Sequence, residues 1–288
     1  MNKRHFAIIG HPANHSMSPF LQNKLFNILN IDAEYSILDI PPHSLELNIN
    51  KLKQLDGFNI TIPYKTEILH YIDSLDKKSQ LYGSVNTVKV DKATRNFTGY
   101  NTDGVGFLKA LEYKGIKLKG RVVILGCGGA ARAIAYESVM AGCETIIAVR
   151  PSGLRKVAKL VSEIKDKTFS PQISTCIIDR LECMIGGIDL LVNATPVGMH
   201  PNYDEMIVND IVLSRCAAVF DAVYNPMDTA LIKRAKKRGI SVIEGIYMLI
   251  WQGIAANQIW TGANYDKSDI DRLCIDTIQE MKNIFGEK

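Results

Sequence analysis

The chain has 288 residues, of which 47% are hydrophobic and 22% are charged, and its formal net charge is +4. This composition is typical of a globular protein with one large or two ordinary domains, and a small charge without a block of like charge does not favour a nucleic-acid or membrane partner. The longest apolar stretch, residues 246–259, is interrupted by polar residues and predicts no membrane span. The six cysteines never form a C-x-x-C pair, which predicts reduced thiols and a cytoplasmic location, and the six histidines show no metal-ligand spacing.

Strand-like and helix-like segments alternate along the first hundred residues, which predicts an α/β fold with a mostly parallel sheet. Ser18 followed by Pro19 predicts an N-cap with proline at the first helical position, and therefore a helix from Pro19 to about Leu29. The polar segment Asp91–Asn96 predicts a hairpin turn, and a further helix is predicted to start near Asp103. The predicted strands are Phe6–Ile9, Tyr35–Leu38, Phe58–Thr61, Ser84–Val90 and Phe97–Tyr100.

An apolar run, Val122–Leu125, then meets a glycine turn that opens a helix ended by Gly142. The turn has the form G-x-G-x-x-A between a strand and a helix, which is the context that a dinucleotide-binding fingerprint requires. Gly126 permits the tight turn, Gly128 lets the backbone approach a pyrophosphate, and Ala131 lets the helix pack closely on the strand. Free N–H groups at the helix start face the phosphates, so the segment predicts a Rossmann-type domain.

Alternating elements continue to the end of the chain, with further strands predicted at Thr145–Val149, Ser174–Ile178, Leu190–Asn193, Ala218–Asp221 and Ser241–Ile243. Two final helices are predicted at Ile246–Trp260 and Ile270–Ile284. We expect residues 1–103 to form a substrate-binding and catalytic domain that is completed by the helices within 246–288. Residues 104–245 would form the dinucleotide-binding domain, with a ligand cleft between the two domains.

The strand that follows the glycine turn indicates which dinucleotide binds. NAD enzymes carry an Asp or Glu about 20 residues after the glycines, where it binds the ribose 2′-hydroxyl. Here the strand ends in Val149-Arg150-Pro151, with Arg155 close behind and no carboxylate. Because a guanidinium suits a 2′-phosphate, the sequence predicts NADP rather than NAD.

Polar residues flank the apolar runs of the first domain in four clusters. Ligands of open α/β sheets bind just beyond the carboxyl ends of strands, so we expect these side chains to converge. Together they offer hydroxyls, a lysine, amides and a carboxylate, a set that suits a small polyhydroxylated acid. The clusters are Ser16-Met17-Ser18-Pro19, residues 59–65, residues 83–88 and Gly99-Tyr100-Asn101-Thr102-Asp103-Gly104.

These clusters, in this order, resemble the motifs of the shikimate dehydrogenase family. The resemblance covers nearly the whole chain, because the glycine turn and residues 193–199, 224–226 and 245–252 also match the family in order. It implies the two-domain α/β fold and the reversible NADPH-dependent reduction of 3-dehydroshikimate to shikimate, in aromatic amino-acid (chorismate) biosynthesis. The implied partner is this small-molecule substrate, and the chain would act as a monomer or a homodimer.

The resemblance also implies the role of individual residues. Lys65 and Asp103 would form the catalytic pair, with Lys65 also touching the substrate 4-hydroxyl. The substrate carboxylate would be held by Ser16 and Ser18 with help from Tyr224, and the ring hydroxyls by Thr61, Asn86, Asp103 and Gln252. The implied cofactor-binding residues are Gly126, Gly128, Gly129, Ala130, Ala131, Arg150, Arg155, Thr195, Val223 and Gly245.

Departures from the family pattern leave alternatives open. Many members have Asn-Arg-Thr where this chain has Val149-Arg150-Pro151, and the proline removes a backbone donor, so strict NADP preference is not fixed. Gln22 stands where a His usually follows the serine motif, one helical turn after Ser18, which predicts a packing role. The alternatives are a quinate/shikimate dehydrogenase using NAD and a non-catalytic ligand-sensing relative. The paired serines and the Asn-Thr-Asp-Gly motif argue against a methylenetetrahydrofolate enzyme.

Overall fold

The computed structural model describes residues 3–14, 16–170 and 172–285. The chain folds into two compact units. The first contains the described residues up to Gly106 together with Ile250–Glu280, and the second contains Phe107–Leu249 and the described residues from Met281 onwards. The predicted domain end at residue 288 lies outside the described residues. The division of labour between a substrate domain and a cofactor domain stays a prediction.

A mixed six-stranded sheet forms the centre of the first unit, with strand order β2-β1-β3-β5-β6-β4. The β1–β2, β1–β3 and β4–β6 pairs are parallel, and β5 is antiparallel to both of its neighbours. The elements are β1 (Arg4–Gly10), α1 (Ser18–Ile28), β2 (Ala33–Asp39), α2 (Leu45–Leu52), β3 (Gly57–Ile60), β4 (Ser74–Leu75), α3 (Lys77–Tyr82), β5 (Thr87–Val90) and β6 (Phe97–Tyr100). Three further helices, α4 (Asp103–Tyr113), α9 (Gly245–Thr261) and α10 (Lys267–Phe285), contain residues of both units.

Strand β1 is buried on both faces of this sheet. Ala7 and Ile9 belong to a core cluster that includes Phe58 and Phe97. The alternate residues Phe6 and Ile8 pack in a second cluster with Phe26 of α1 and Trp260 of α9. Side chains alternate between the two faces of a strand, so a continuous apolar run has to be buried on both faces. Helices that pack on both sides of the sheet provide this burial.

Helix α1 begins one residue earlier than predicted, and Ser18 is not its N-cap. Met17 occupies the N-cap position, and no side chain caps the helix there. Ser18 is the first helical residue, and its N–H donates to Ser16 Oγ at 3.2 Å. Ser16 therefore supplies the acceptor for the first N–H group of the helix. Ser18 cannot be the N-cap because it lies inside the helix, and Pro19, the next residue, has no N–H group.

The second unit is built on an entirely parallel six-stranded sheet, with order β12-β11-β10-β7-β8-β9. Numbered from its own first strand, this is the 3-2-1-4-5-6 order of dinucleotide-binding folds. The elements are β7 (Arg121–Leu125), α5 (Gly129–Met140), β8 (Glu144–Val149), α6 (Leu154–Thr168), β9 (Ile173–Ile177), β10 (Ile188–Asn193), α7 (Asp210–Leu213), β11 (Cys216–Asp221), α8 (Ala230–Lys237) and β12 (Ser241–Glu244). The predicted α/β class with parallel-rich sheets is confirmed.

Most strands lie within a residue or two of their predicted bounds, but one was drawn too long. The strand predicted at Ser84–Val90 begins only at Thr87, because residues 84–86 form the irregular segment that leads into β5. The predicted hairpin at Asp91–Asn96 is present, and Asp91 Oδ1 accepts hydrogen bonds from the N–H groups of Ala93 and Thr94. Within the described parts of the chain, no helix has the length and apolar character that crossing a bilayer requires.

Candidate active site

The antiparallel register of the first sheet brings three motifs to one edge. Asn59 of β3 pairs with Thr87 of β5, and Thr87 pairs with Tyr100 of β6. The carboxyl end of β3, the start of β5 and the carboxyl end of β6 therefore lie side by side. Polar residues placed just beyond these strand ends, far apart in the sequence, meet at this edge.

Lys65 and Asp103 form an ion pair at this edge. The distance from Lys65 Nζ to Asp103 Oδ2 is 2.6 Å, and the two side chains are 17% and 6% exposed. Lys65 lies in the turn after β3, and Asp103 is the first residue of α4, where a carboxylate interacts favourably with the helix dipole. The pair thus holds an ammonium in a largely buried position with its countercharge fixed.

Asn86 holds the second oxygen of the same carboxylate. Its Nδ2 donates to Asp103 Oδ1 at 2.8 Å and to Thr102 Oγ1 at 2.9 Å. Its Oδ1 accepts from the Thr102 N–H at 2.8 Å, and the side chain is only 2% exposed. Asn86 was predicted as a ligand of a ring hydroxyl, which stays a prediction, and in this structure it also orients Asp103.

Three further polar side chains are buried behind Asn86. Thr87 Oγ1 donates to Asn86 Oδ1 at 3.0 Å, and Asn59 Nδ2 donates to Thr87 Oγ1 at 2.9 Å. The Tyr35 hydroxyl donates to Asn59 Oδ1 at 2.6 Å. Sequence reasoning assigned no role to Tyr35 or Thr87, and the available signal was Asn59, the one polar side chain of β3.

The remaining predicted substrate residues of the first unit lie on other segments. Thr61 follows β3 directly and is partly exposed, and Ser16 is partly exposed next to the start of α1. Gln252 Oε1 lies 3.5 Å from Thr102 Oγ1 and so borders the same cluster. Gln22 is fully buried between Gly253 and Asn257, as its predicted packing role requires. Tyr224 belongs to the second unit, in the segment after β11.

The glycine turn of the second unit has the geometry of a phosphate-binding loop. Gly126 has φ +101°, and a Cβ there would lie 2.7 Å from Thr195 Cγ2, so both the backbone conformation and the neighbouring segment require glycine. Gly128 is the N-cap of α5, which no side chain caps, and a Cβ there would meet no atom within 4 Å. Open space in front of an uncapped helix start fits a pyrophosphate. The small residues Gly129, Ala130 and Ala131 form the first turn of α5.

Two segments beside the glycine turn are fixed by a buried network. Asn193 Oδ1 accepts from the Thr195 hydroxyl at 2.7 Å, and Asn193 Nδ2 donates to Asp221 Oδ1 at 2.9 Å. Asp221 also accepts from the Val223 N–H at 3.0 Å and from Thr229 Oγ1 at 2.6 Å. The predicted cofactor residues Thr195 and Val223 are thus both held by strand-end side chains. A Cβ on Gly245 would lie 2.5 Å from the Val223 carbonyl oxygen, so Gly245 lies against the same segment.

Asp221 predicts a pH dependence of stability. Burial raises its pKa to about 6 from the ordinary value of 3.8, although the hydrogen bonds from Thr229, Val223 and Asn193 lower it. The pKa of Asp221 in the folded protein lies above its value in the unfolded chain, so the fold favours the neutral carboxyl. The contribution of this group to stability is therefore fully present below about pH 4 and is lost as the pH rises through about 6. Relative to Asp221→Asn, which does not titrate, the wild-type free energy of unfolding should fall by up to about 3 kcal/mol between pH 4 and pH 7. Denaturant unfolding of both proteins across this range measures the difference, and parallel pH profiles would contradict it.

The end of β8 offers two cations to a ligand. Arg150 and Arg155 are exposed, and neither guanidinium forms an ion pair with a carboxylate among the described residues. Arg150 precedes a short 3₁₀ helix, Pro151–Gly153, and this helix has no side-chain cap. Both charges are therefore available to an external anion such as a 2′-phosphate. In the described residues, no group of three or more His, Cys, Asp or Glu side chains could hold a metal ion.

Comparison with known proteins agrees with this geometry. A family model described as the shikimate dehydrogenase substrate binding domain matches residues 8–88. The shikimate dehydrogenase (NADP(+)) of Methanocaldococcus jannaschii is 40% identical over 276 residues, covering 94% of this chain and 96% of that protein. Shikimate 5-dehydrogenase from Thermus thermophilus, solved in complex with NADP(H) and shikimate, superposes with a TM-score of 0.81 at 30% identity, covering 95% of this chain and 99% of that one.

A quinate dehydrogenase from Corynebacterium glutamicum, solved in complex with NAD, has a TM-score of 0.84 at 27% identity, covering 96% of this chain and 99% of that one. The fold is thus shared by enzymes named for different substrates and cofactors. The identity is higher, at 40% and 36%, for two proteins named shikimate dehydrogenase (NADP(+)). The chain belongs to the shikimate dehydrogenase family.

Proposed function

We propose that this chain catalyses the reversible NADPH-dependent reduction of 3-dehydroshikimate to shikimate. The observation that carries the proposal is the ion pair of Lys65 and Asp103, with its Nζ–Oδ2 distance of 2.6 Å, in a member of this family. A non-catalytic ligand sensor would not need an ammonium held by a buried carboxylate. The proposed pathway context is the synthesis of chorismate and the aromatic amino acids.

Lys65 is the acid of the proposed reaction. NADPH, when bound, supplies the hydride that reduces the substrate ketone. Negative charge then develops on the carbonyl oxygen, and Lys65 Nζ donates a proton to it, which completes the alcohol. In the direction of shikimate oxidation the hydroxyl proton returns to the same nitrogen. Asp103 holds the Lys65 nitrogen in place for both directions through the 2.6 Å contact between Nζ and Oδ2.

Other residues of the chain position the two reactants. Ser16 and Ser18 would bind the substrate carboxylate, and Thr61, Asn86 and Gln252 would bind ring hydroxyls. The uncapped start of α5 would bind the pyrophosphate, and Arg150 with Arg155 would bind the 2′-phosphate. Thr195 and Val223 lie on the two segments fixed by Asn193 and Asp221, and Gly245 lies against the segment of Val223. All three would border the rest of the dinucleotide.

Shikimate should be preferred over quinate. Quinate carries an additional hydroxyl on the carbon that bears the carboxylate, and room for it must come from the pocket around Ser16 and Ser18. A tight wall rejects an added hydroxyl only modestly, on the order of 100-fold. Spectrophotometric assays of each acid with NADP and with NAD measure the four specificity constants. A value for quinate equal to or above that for shikimate would favour the alternative, a quinate/shikimate dehydrogenase that uses NAD.

We further propose a cytoplasmic enzyme that acts as a monomer or a homodimer. All six cysteines are free thiols, which supports a reducing compartment. Sedimentation of the purified chain at several concentrations would determine its oligomeric state.

A further inference from the structure

A line of buried hydrogen bonds runs through the first unit to the catalytic pair. It passes from Tyr35 through Asn59, Thr87 and Asn86 to Asp103, with donor–acceptor distances of 2.6, 2.9, 3.0 and 2.8 Å. All five residues are at most 4% exposed. Only Asn86 and Asp103 have a proposed contact with substrate, so the remaining three side chains need another explanation.

The direction of each hydrogen bond in this line is fixed. The Nδ2 group of Asn59 donates to Thr87 Oγ1 and to the Asn86 carbonyl oxygen, so its Oδ1 must face Tyr35. Burial raises the pKa of the Tyr35 phenol well above its usual range, so Tyr35 keeps its hydrogen and donates it to Oδ1.

Thr87 completes the order. Its oxygen accepts from Asn59, so its single hydrogen goes to Asn86 Oδ1. That contact acts together with the Thr102 N–H, which donates to the same oxygen, and the Nδ2 group of Asn86 therefore faces Asp103. Every hydrogen in the line therefore points towards the carboxylate that holds Lys65.

We propose that Tyr35, Asn59 and Thr87 are positioning residues, which form a one-way donor relay that orients the Asn86 amide and thereby holds Asp103 in place for Lys65. The inference deepens the proposed function and rests on it. Without the relay, the Asn86 amide has less to prevent it from turning its oxygen towards the Asp103 carboxylate, where two acceptors would repel each other. Aligned hydrogen bonds also polarise one another, so the relay strengthens the last donor, Asn86 Nδ2.

The test compares two replacements of Thr87. Thr87→Val keeps the shape and the branched side chain of a strand residue but removes the hydroxyl, whereas Thr87→Ser keeps the hydroxyl. One neutral hydrogen bond is worth a factor of about 2 to 12 in an equilibrium. We expect Thr87→Val to lower kcat by about this factor while KM for NADP stays within about twofold, and Thr87→Ser to retain kcat within about twofold. KM for shikimate is expected to rise with the loss of kcat, because Asn86 is also a proposed ligand of a ring hydroxyl. Thr277→Val, which removes another fully buried hydroxyl of the first unit, is the matched control and should leave kcat unchanged.

Tyr35→Phe tests the far end of the relay, and it replaces Thr87→Val as the test if that variant does not fold. Asn59 still donates to the Asn86 carbonyl oxygen in this variant, so we expect a smaller loss of kcat. KM for shikimate is not a criterion here, because the Tyr35 hydroxyl also contacts Ser18, a proposed ligand of the substrate carboxylate. Tyr265→Phe, in a tyrosine of the first unit that donates to Asn257 Oδ1 at 2.6 Å, is its control.

Wild-type turnover of shikimate is measured first, because its absence would refute the proposed function. If the wild type is active, an unchanged kcat in both Thr87→Val and Tyr35→Phe would refute the relay alone. A loss of kcat in Thr87→Ser as large as in Thr87→Val, or a rise of KM for NADP as large as the loss of kcat, would also overturn it.

Discussion

Replacing Lys65 by methionine is expected to reduce kcat for shikimate oxidation by about 10²–10⁴-fold, the usual contribution of a positioned general acid or base. Methionine has a stem of similar length, so the packing around the site should persist, but it cannot donate a proton to the carbonyl oxygen. The variant should still fold and bind NADPH, because the nucleotide is expected to bind to the second unit. Steady-state kinetics together with NADPH fluorescence titration separate these quantities.

The matched control is Lys77→Met, which removes an exposed lysine from the first turn of α3 in the same unit and should leave kcat unchanged. Asp103→Asn should also lower kcat, because an amide does not balance the ammonium of Lys65. The losses of the double variant should not add, since the two residues act as one unit. A Lys65→Met enzyme with near-normal kcat and a raised KM for shikimate would make Lys65 a binding residue and refute the catalytic assignment.

The second unit could be predicted from sequence in most of its detail, because its determinants are local. A strand, a glycine turn and a helix follow one another within residues 122–140, and the backbone conformation at Gly126 requires the residue that the motif supplies. In parallel sheets the strands are buried on both faces and appear as uninterrupted apolar runs. Strand bounds such as those of β8 and β10 are correspondingly well predicted.

The first unit is harder to predict from sequence because its key contacts join residues that are far apart in the chain. The role of Asn86 in orienting Asp103 depends on the antiparallel placement of β5 between β3 and β6, which alternation of apolar residues does not specify. Tyr35 lies 24 residues from Asn59 in the chain and meets it only through the sheet. The wrong prediction of Ser18 as an N-cap has a local cause. Ser16 Oγ, two residues earlier, accepts from the Ser18 N–H, and Ser18 is the first residue of the helix.

Catalytic and binding roles were accessible mainly through the resemblance to a family. The position of Lys65 after a strand and of Asp103 at a helix start predicts that their segments converge, but it does not specify an ion pair between the two side chains. The structure adds the ion pair and the amide that supports it. The Asp221 network behind Thr195 and Val223 gave no sequence signal, because a single carboxylate at a strand end has many uses.

Replacing Arg150 by alanine is expected to raise KM for NADP by about 10- to 150-fold, the value of a charge-assisted hydrogen bond of about 1.5–3 kcal/mol. The guanidinium is exposed at the end of β8, pairs with no described carboxylate, and stands where NAD enzymes place an acidic residue. Use of NAD, which lacks the 2′-phosphate, should be nearly unchanged. The ratio of the two specificity constants is therefore the measurement that isolates the 2′-phosphate contact.

Lys159→Ala removes an exposed cation from α6 and serves as the control, because general attraction of the dinucleotide to a basic surface would respond to either change. Raising the ionic strength weakens such long-range attraction for both proteins, whereas a bidentate contact at close range is screened much less. The selectivity for NADP over NAD should thus fall in Arg150→Ala alone and persist in Lys159→Ala at high salt. Equal losses with both cofactors would place Arg150 in the folding of the β8–α6 turn and leave the 2′-phosphate to Arg155, the other guanidinium at this strand end.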